Sequence, residues 1–415
     1  MGAPPVRGVY VNTKGSPSFK NFVREPPAML KRTYLDANAG APLLAQAREA
    51  VVAALDEAAN ASSVHAEGRR ARHILEEARL AVAASVGARP QNVVFTSGAT
   101  EAAALALTPR IQTGPGVARI GRLYVGATEH PAVLTGGRFP VSAVVKLPVE
   151  RSGRINMDGL RRALDRHNAA DGPFYLALML VNNETGVIHP VEEARRLVKA
   201  RGGYVFCDAV QALGRIPVDI GALGVDFLAF SAHKMGGPQG VGALVLADET
   251  IRPEPLLTGG GQERRLRSGT ENVAAIAGFG VAASLVDHHL QDGGRLASLR
   301  DDLERGLLAI SPNAKVAGAG VPRIPNTTLF ALPGLPAETA VIALDLEGIA
   351  VSAGSACSSG KVSASHVLEA MCEPAEVARG GIRVSLPAQA GAADVEAFLA
   401  AWRAIHARMR DDRAA

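Results

Sequence analysis

A series of apolar runs that each end in polar or small residues constrains this fold most. They are NVVFTSG (92–98), YLALMLVNNE (175–184), YVFCDAV (204–210), FLAFSAHK (227–234) and VGALVLA (241–247). Apolar residues follow one another in these runs instead of alternating with polar ones, which is typical of strands buried on both faces. The sequence therefore predicts an α/β fold with a mostly parallel sheet, whose ligands bind beyond the carboxyl ends of the strands.

Helical spacing is clearest over residues 66–86, where apolar residues recur at Ile74, Ala78, Ala81 and Val82. The order of predicted helices and strands changes after about residue 285. A long amphipathic helix (293–310) precedes two strand-like segments, TTLFAL and IRVSL, and further helices are predicted at 337–347 and 392–409.

The 415 residues exceed the roughly 250–300 at which single cores stop growing, so two domains are expected. We predict a large cofactor-binding domain over residues 31–285 and a smaller α+β domain over 286–415, with residues before about 43 packing on the smaller one. Residues 1–30 are rich in Gly and Pro and contain one acid, Glu25; they are expected to be a disordered extension.

Charge and composition exclude several classes of protein. The net charge of +4 is small, and aromatic residues, 4% of the chain, are not interleaved with basic ones, which argues against nucleic-acid binding. Apolar runs stay below the ~18 residues of a membrane helix. Three cysteines without a C-x-x-C motif indicate a reducing compartment, here the cytoplasm, with neither a disulfide framework nor an intrinsic metal site.

A lysine and an aspartate at two strand ends indicate the chemistry. Lys234 in SAHK and Asp208 in DAVQ each follow an apolar run. Pyridoxal phosphate requires a lysine for covalent attachment and an acid that pairs with its ring nitrogen. Read singly, the residues have simpler explanations, a surface lysine and a helix N-cap.

Other strand ends add supporting signals. TSGATE (96–101) opens a helix whose free N–H groups would hold a phosphate, although an ordinary capped helix start also explains it. His130 in TEHPAV could stack on a flat cofactor, but a lone histidine is more often structural. NNETG (182–186) and GGGQERRLRSGTEN (259–272) place amides, hydroxyls and arginines in further loops.

These motifs together resemble the cysteine desulfurases, pyridoxal-phosphate enzymes of fold type I in the class-V aminotransferase superfamily. The resemblance runs from about Tyr34 to the C-terminus and includes YLDANAG, FTSGATEA, TEHPAV, NNETG, DAVQ, SAHK, RSGT, GSACSSG, SHVLEAM and IRVSL. GSACSSG looks like the subgroup with a long catalytic loop that serves nitrogenase and general iron–sulfur cluster assembly. The resemblance implies a homodimer that takes L-cysteine as substrate.

The resemblance also implies a role for each matching residue. Lys234 would form the internal aldimine and move protons, Asp208 would pair with the ring nitrogen, and His130 would stack on the ring as an acid–base group. Gln211 and Asn183 would lie near the phenolic oxygen, and Arg383 with Asn183 would bind the substrate carboxylate. The phosphate would be held by small, hydroxyl or imidazole groups, with one hydroxyl from the partner subunit: Ala99, Thr100, Ser231, His233 and Thr270.

Cys357 stands in VSAGSACSSGK (351–361), where neither an apolar niche nor companion metal ligands surround it. The resemblance implies that it takes sulfur from L-cysteine as a persulfide, releases L-alanine, and passes the sulfur to an iron–sulfur scaffold or another acceptor protein. It could also ligate a cluster iron transiently. A small, polar surround suits a thiol that must travel from cofactor to acceptor.

The motifs leave other functions open, and the chain departs from the family pattern at Cys372. A selenocysteine lyase or class-V aminotransferase would share the scaffold, and a non-catalytic partner subunit with a relic site would share the motifs. Arg383 read alone is a surface arginine at a strand edge. Cys372 stands where the family usually has Gly, and it is expected to be a buried spectator.

Overall fold

The computed structural model describes residues 32–57, 59–114, 116–354 and 364–414. Both the predicted extension (1–30) and Cys357 lie outside the described residues. The strands are β1 (Thr33–Tyr34), β2 (Val93–Thr96), β3 (Arg110–Thr113), β4 (Gly116–Arg119), β5 (Arg122–Gly126), β6 (Val144–Leu147), β7 (Phe174–Ala177), β8 (Tyr204–Asp208), β9 (Phe227–Ser231), β10 (Gly242–Leu246), β11 (Ile251–Pro253), β12 (Lys315–Val316), β13 (Thr327–Ala331), β14 (Ile349–Ala350), β15 (Ser352–Ala353) and β16 (Ile382–Ser385).

Helices connect and cover these strands. They are α1 (Ala45–Asp56), α2 (Ala66–Ala84), α3 (Ala99–Ala106), α4 (Pro131–Leu134), α5 (Met157–Asp165), α6 (Val191–Lys199), α7 (Ile220–Leu223), α8 (Val273–Ser284), α9 (Val286–Gln291), α10 (Gly293–Ile310), α11 (Ala337–Leu346), α12 (His366–Ala370), α13 (Ala375–Arg379) and α14 (Ala392–Ala414).

A seven-stranded sheet in the order β2-β10-β9-β8-β7-β5-β6 forms the centre of the fold. Its strands β6, β5, β7, β8 and β9 are parallel, and β10 is antiparallel to both of its neighbours. Only residues 232–241 join β9 to β10, too few for the crossover that a parallel neighbour needs, so β10 returns in the opposite direction. The predicted mostly parallel α/β sheet is confirmed.

Burial explains the continuous apolar runs. Every residue of β7, β9 and β10 is buried, because helices cover both faces of the sheet. In α2 the buried stripe is Ala71, Leu75, Ala78 and Val82, whereas Ile74 and Ala81 of the predicted stripe are only partly buried. Those two residues instead line a shallow apolar cleft formed with α1 and α8.

A second, four-stranded sheet in the order β12-β13-β16-β15 lies with α10, α11 and α14 over its own apolar cluster. Phe330 meets the Trp402 ring edge to face at 5.1 Å, and the Trp402 indole N–H donates to Ser311 Oγ at 3.0 Å. β1 pairs with β14 beside this sheet. We keep the division near residue 285 into two domains as a proposal.

Cys372 occupies a left-handed turn after α12, with φ of 59°, and is exposed, so the expected buried position is wrong. A side chain with a Cβ costs about 1–2 kcal/mol in this conformation, and glycine adds about 0.5–1 kcal/mol of backbone entropy. We expect Cys372→Gly to raise the free energy of unfolding by about 0.5–1 kcal/mol in urea titrations, on the balance of those values. Cys372→Ala keeps the Cβ and should bring no gain; an equal gain would show that backbone strain is not the cause.

Candidate active site

Most of the predicted site residues line one cleft of about 570 Å³ at the carboxyl ends of β7, β8 and β9. The lining includes ten of the twelve residues named from the sequence: Ala99, Thr100, His130, Asn183, Asp208, Gln211, Ser231, His233, Lys234 and Arg383. Parallel strands end at the same edge, which is why residues far apart in sequence meet here.

Lys234 lies in the turn that follows β9, and its amine is held by backbone oxygens. Nζ donates to the carbonyls of Asn38 at 2.6 Å and Ala39 at 2.9 Å. Burial, together with the neighbouring positive charges of Arg383 and Arg215, lowers the pKa of Lys234 to about 8. About a tenth of the amine is therefore neutral and nucleophilic at pH 7, far more than for an unperturbed lysine.

Asp208 is the last residue of β8 and faces the same cleft. Its Oδ1 accepts from the backbone N–H of Val210 at 2.9 Å, the kind of bond an N-cap makes, but residues 210–215 form turns and no helix. Burial raises its pKa to about 6, while the Val210 N–H and Lys234 oppose that rise. Among the described residues no cation forms an ion pair with Asp208, so its carboxylate is available to a protonated ring nitrogen.

The N-terminus of α3 forms one wall of the cleft and suits a phosphate. Its N-cap, Gly98, provides no side-chain cap, and the first N–H groups of a helix have no intrahelical partner. Ser231 Oγ lies 2.8 Å from His233 Nδ1. Burial and the charge of Lys234 lower the pKa of His233 to about 4, so its ring is neutral. Its one N–H can donate a hydrogen bond to an oxygen of an anion.

His130 is the N-cap of the short helix α4. Its Nδ1 accepts from the Ala132 N–H at 3.2 Å, which assigns the proton of the neutral ring to Nε2. Burial lowers the pKa of His130, and the charges of Lys234 and His366 act in the same direction. The ring is therefore neutral at pH 7, as stacking on a cationic heterocycle requires.

Arg383 lies in β16 between β13 and β15 and is 3% exposed, so the alternative of a surface arginine at a strand edge is wrong. Its Nη2 donates to Asp36 Oδ1 at 2.8 Å and its Nη1 to the Asn183 carbonyl at 3.1 Å. Arg383 Nε and Asn183 Oδ1 are buried and have no hydrogen-bond partner among the described residues. These two atoms form a ready donor and acceptor for a bound ligand.

Two predicted residues are absent from the described lining of this cleft. Thr270 is exposed and outside the lining, and its contact with a partner subunit's cofactor stays a prediction. Cys357 lies outside the described residues, so its role also stays a prediction.

Sequence reasoning missed Asn38, although YLDANAG was among the motifs that carry the resemblance. Its carbonyl accepts from both Lys234 Nζ and Gln211 Nε2, and its side-chain Nδ2 donates to Thr327 Oγ1 at 3.0 Å. The contact with Lys234 and Gln211 is made by a backbone oxygen, which every residue type carries, so the sequence gives no signal for it. Asp36, which orients Arg383 and accepts from Ser352 Oγ at 2.7 Å, was missed with it.

Two buried acids beside the cleft were also missed. Glu129 Oε1 accepts from the Met179 N–H at 2.7 Å, and burial raises the pKa of Glu129 well above its usual range. Glu184 accepts from Ser365 Oγ at 2.5 Å, and burial raises its pKa to about 7 although Arg383 opposes this. Both lie within quoted motifs, TEHPAV and NNETG, but only burial distinguishes them from surface acids.

The part of the chain that the structure describes contains no group of three His, Cys, Asp or Glu side chains placed to hold a metal ion. Of the helices described, none combines the length and hydrophobicity that a membrane crossing requires.

Comparisons with known proteins identify the family of the chain. Residues 33–398 match the family described as Aminotransferase class-V. A protein named cysteine desulfurase from Cereibacter sphaeroides is 39% identical, covering 89% of this chain and 94% of its own, and one named IscS-like cysteine desulfurase from Mycobacterium tuberculosis is 39% identical, covering 91% and 97%. The solved NifS-like protein from Rickettsia africae superposes with a TM-score of 0.81 at 31% identity, covering 90% of this chain and 99% of its own.

The fold and the lysine–aspartate cleft define an enzyme scaffold built around pyridoxal phosphate, and the chain belongs to the class-V aminotransferase family. Within it, the chain belongs with the cysteine desulfurases, which match nearly its whole length. The family predicted from the motifs is thereby confirmed, and so is its cofactor.

Proposed function

We propose that this chain is a cysteine desulfurase that converts L-cysteine to L-alanine and carries the sulfur as a persulfide on Cys357. The observation that carries the proposal is the meeting of Lys234, Asp208 and Arg383 in one cleft, because a cofactor lysine, a ring-nitrogen acid and a carboxylate clamp are the three groups an amino-acid reaction on pyridoxal phosphate needs. The names of the relatives support the substrate.

The residues of the cleft fit the cofactor. Lys234 would hold it covalently, Asp208 would pair with its ring nitrogen, and His130 would cover one ring face. Its phosphate would lie at the N-terminus of α3, near Ser231 and His233. When bound, pyridoxal phosphate supplies an electron sink next to the amino acid's Cα.

The protein's own groups then divide the work. Arg383 orients the substrate by its carboxylate, as a planar guanidinium fork allows. The Lys234 amine, whose pKa of about 8 lies near the working pH, takes the proton from Cα and returns one. The thiolate of Cys357 attacks the substrate sulfur: an S–S bond forms, the Cβ–S bond breaks, and Cβ receives a proton, which leaves L-alanine and a persulfide.

The proposal also includes a homodimer, a sulfur acceptor and a location for the enzyme. A homodimer would place the partner's Thr270 hydroxyl near the phosphate. An iron–sulfur scaffold or another acceptor protein would take the sulfur. The lack of a C-x-x-C motif among three cysteines supports a reducing location such as the cytoplasm.

The test is a mass balance. Purified enzyme given L-cysteine and a thiol reductant should form L-alanine and sulfide in equal amounts. In a parallel reaction without reductant, mass spectrometry should locate one added sulfur on Cys357. Formation of pyruvate, or a transamination product without sulfide, would contradict the proposal. L-selenocysteine supplied in parallel distinguishes the lyase alternative, since a selenocysteine lyase would release alanine from that substrate alone.

The Arg383 assignment has its own prediction. We expect Arg383→Ala to raise KM for L-cysteine roughly 10- to 100-fold, since hydrogen bonds to charged groups contribute about 1.5–3 kcal/mol. The cofactor dissociation constant, measured by absorbance titration, should change far less. Arg383→Lys keeps the charge that balances Asp36 and should give an intermediate KM.

Arg195, whose Nε donates to the Gly224 carbonyl at 2.9 Å and which is not part of the cleft lining, provides the matched control. Arg195→Ala should leave KM unchanged. An unchanged KM in Arg383→Ala would defeat the carboxylate assignment.

A further inference from the structure

Arg215 lies behind the cleft, in the turns that follow Asp208. Its Nη1 donates to the Gln211 backbone carbonyl at 3.0 Å and to Gln211 Oε1 at 2.8 Å, and its Nη2 donates to the Lys234 carbonyl at 3.2 Å. It forms no ion pair with any carboxylate that the structure describes. Removing a guanidinium from water is costly when no carboxylate pairs with it, so this partly buried side chain depends on its hydrogen bonds to Gln211 and Lys234.

The first consequence concerns Gln211. A guanidinium has donors only, so the atom that faces Arg215 must be Oε1 of the Gln211 amide. Its Nε2 then donates to the Asn38 carbonyl at 3.0 Å. Arg215 thereby determines which end of the Gln211 amide is the oxygen and which is the nitrogen. The second N–H of Gln211 Nε2 is then the group available to an oxygen in the cleft.

The second consequence concerns Lys234. Its carbonyl is held by Arg215 Nη2, and its amine is held by the backbone oxygens of residues 38 and 39. The charged groups that act on the amine are the cations Arg383 and Arg215 and the acids Asp36 and Asp208. Burial lowers the pKa of Arg215 itself to about 10, so it stays charged at neutral pH.

We propose that Arg215 is a positioning residue of the cofactor site, which fixes the Gln211 amide as a donor towards the cleft and, through its bond to the Lys234 carbonyl, places a positive charge near that lysine. The proposal rests on the proposed function of Lys234 as the cofactor lysine. Arg215 itself is not in the cleft lining, so it acts through these two residues.

The charge is tested on cofactor-free protein. Lys234 is labelled with acetic anhydride across about pH 6 to pH 10, on either side of its pKa of about 8, and quantified by mass spectrometry with the exposed Lys146 as internal reference. Removing a neighbouring positive charge raises a lysine pKa, so Arg215→Gln should move the labelling midpoint upwards. A shift of about 0.5–1 pH unit lowers labelling at pH 7 by about three- to tenfold.

Arg215→Lys keeps the charge and should keep the midpoint of the wild-type protein; it also serves if Arg215→Gln does not fold. Arg195→Gln is the control for loss of a partly buried arginine elsewhere and should leave the midpoint in place. An unmoved midpoint in Arg215→Gln, or an equal shift in Arg215→Lys, would overturn the role of the charge.

The amide is tested by a double-mutant cycle on the dissociation constant of pyridoxal phosphate. If Arg215 acts through Gln211, then Arg215→Gln and Gln211→Ala should each weaken binding, and the double variant should be no weaker than Gln211→Ala. Additive losses would overturn the role of Arg215 in fixing the Gln211 amide. Failure of the proposed function has a different signature: borohydride would then fix no cofactor on Lys234 of the wild-type protein, whereas the labelling midpoints remain readable.

Discussion

Lys234→Ala should abolish desulfurase turnover, with kcat reduced by at least ~10³-fold, as is usual when the covalent catalytic group is removed. The reason is geometric, because Lys234 is the one lysine in the described lining of the cleft. Borohydride reduction should fix pyridoxal phosphate on the wild-type chain at this residue and leave no cofactor on the variant. Turnover by the protein and its cofactor absorption measure the two effects.

Lys146→Ala is the matched control, since that lysine is exposed and outside the lining. It should retain turnover and cofactor attachment. Attachment that persists in Lys234→Ala would place the cofactor lysine elsewhere in the chain.

Cys357→Ala is expected to have an equally large effect by a different route. The variant should bind pyridoxal phosphate with its normal absorption, yet sulfide release should fall by at least ~10³-fold because no thiolate remains to accept the sulfur. Mass spectrometry after exposure to L-cysteine should find no persulfide.

The chain offers its own control in Cys372, a free and exposed thiol near Cys357 in sequence. Cys372→Ala should keep both sulfide release and the persulfide on Cys357. A persulfide found on Cys372, or wild-type turnover in the Cys357→Ala variant, would contradict sulfur transfer through Cys357.

Strand positions and the location of the cleft could be predicted from sequence because each rests on a local pattern. Continuous apolar runs marked β7 to β10, and polar residues at their ends marked the edge where Lys234 and Asp208 meet. The direction of β10 depends on the length of its connection, which the apolar pattern alone does not reveal.

Contacts between distant segments could not be predicted. Asn38 and Asp36 act on residues 173 to 347 positions away, through a backbone oxygen or an ion pair that exists only once both sheets are assembled. The same holds for Arg215, whose sequence neighbourhood resembles any polar turn. Burial made Glu184 an acid that titrates near neutrality, and burial is a property of the finished fold.

Residues 36–39 form a strap between the two sheets, since Asp36 and Asn38 contact Arg383 and Thr327 while Asn38 and Ala39 hold the Lys234 amine. Once that amine engages the cofactor, two carbonyl oxygens on the strap lose a donor. Binding of the cofactor at Lys234 would therefore change the hydrogen bonding of the segment whose Asp36 also holds Arg383.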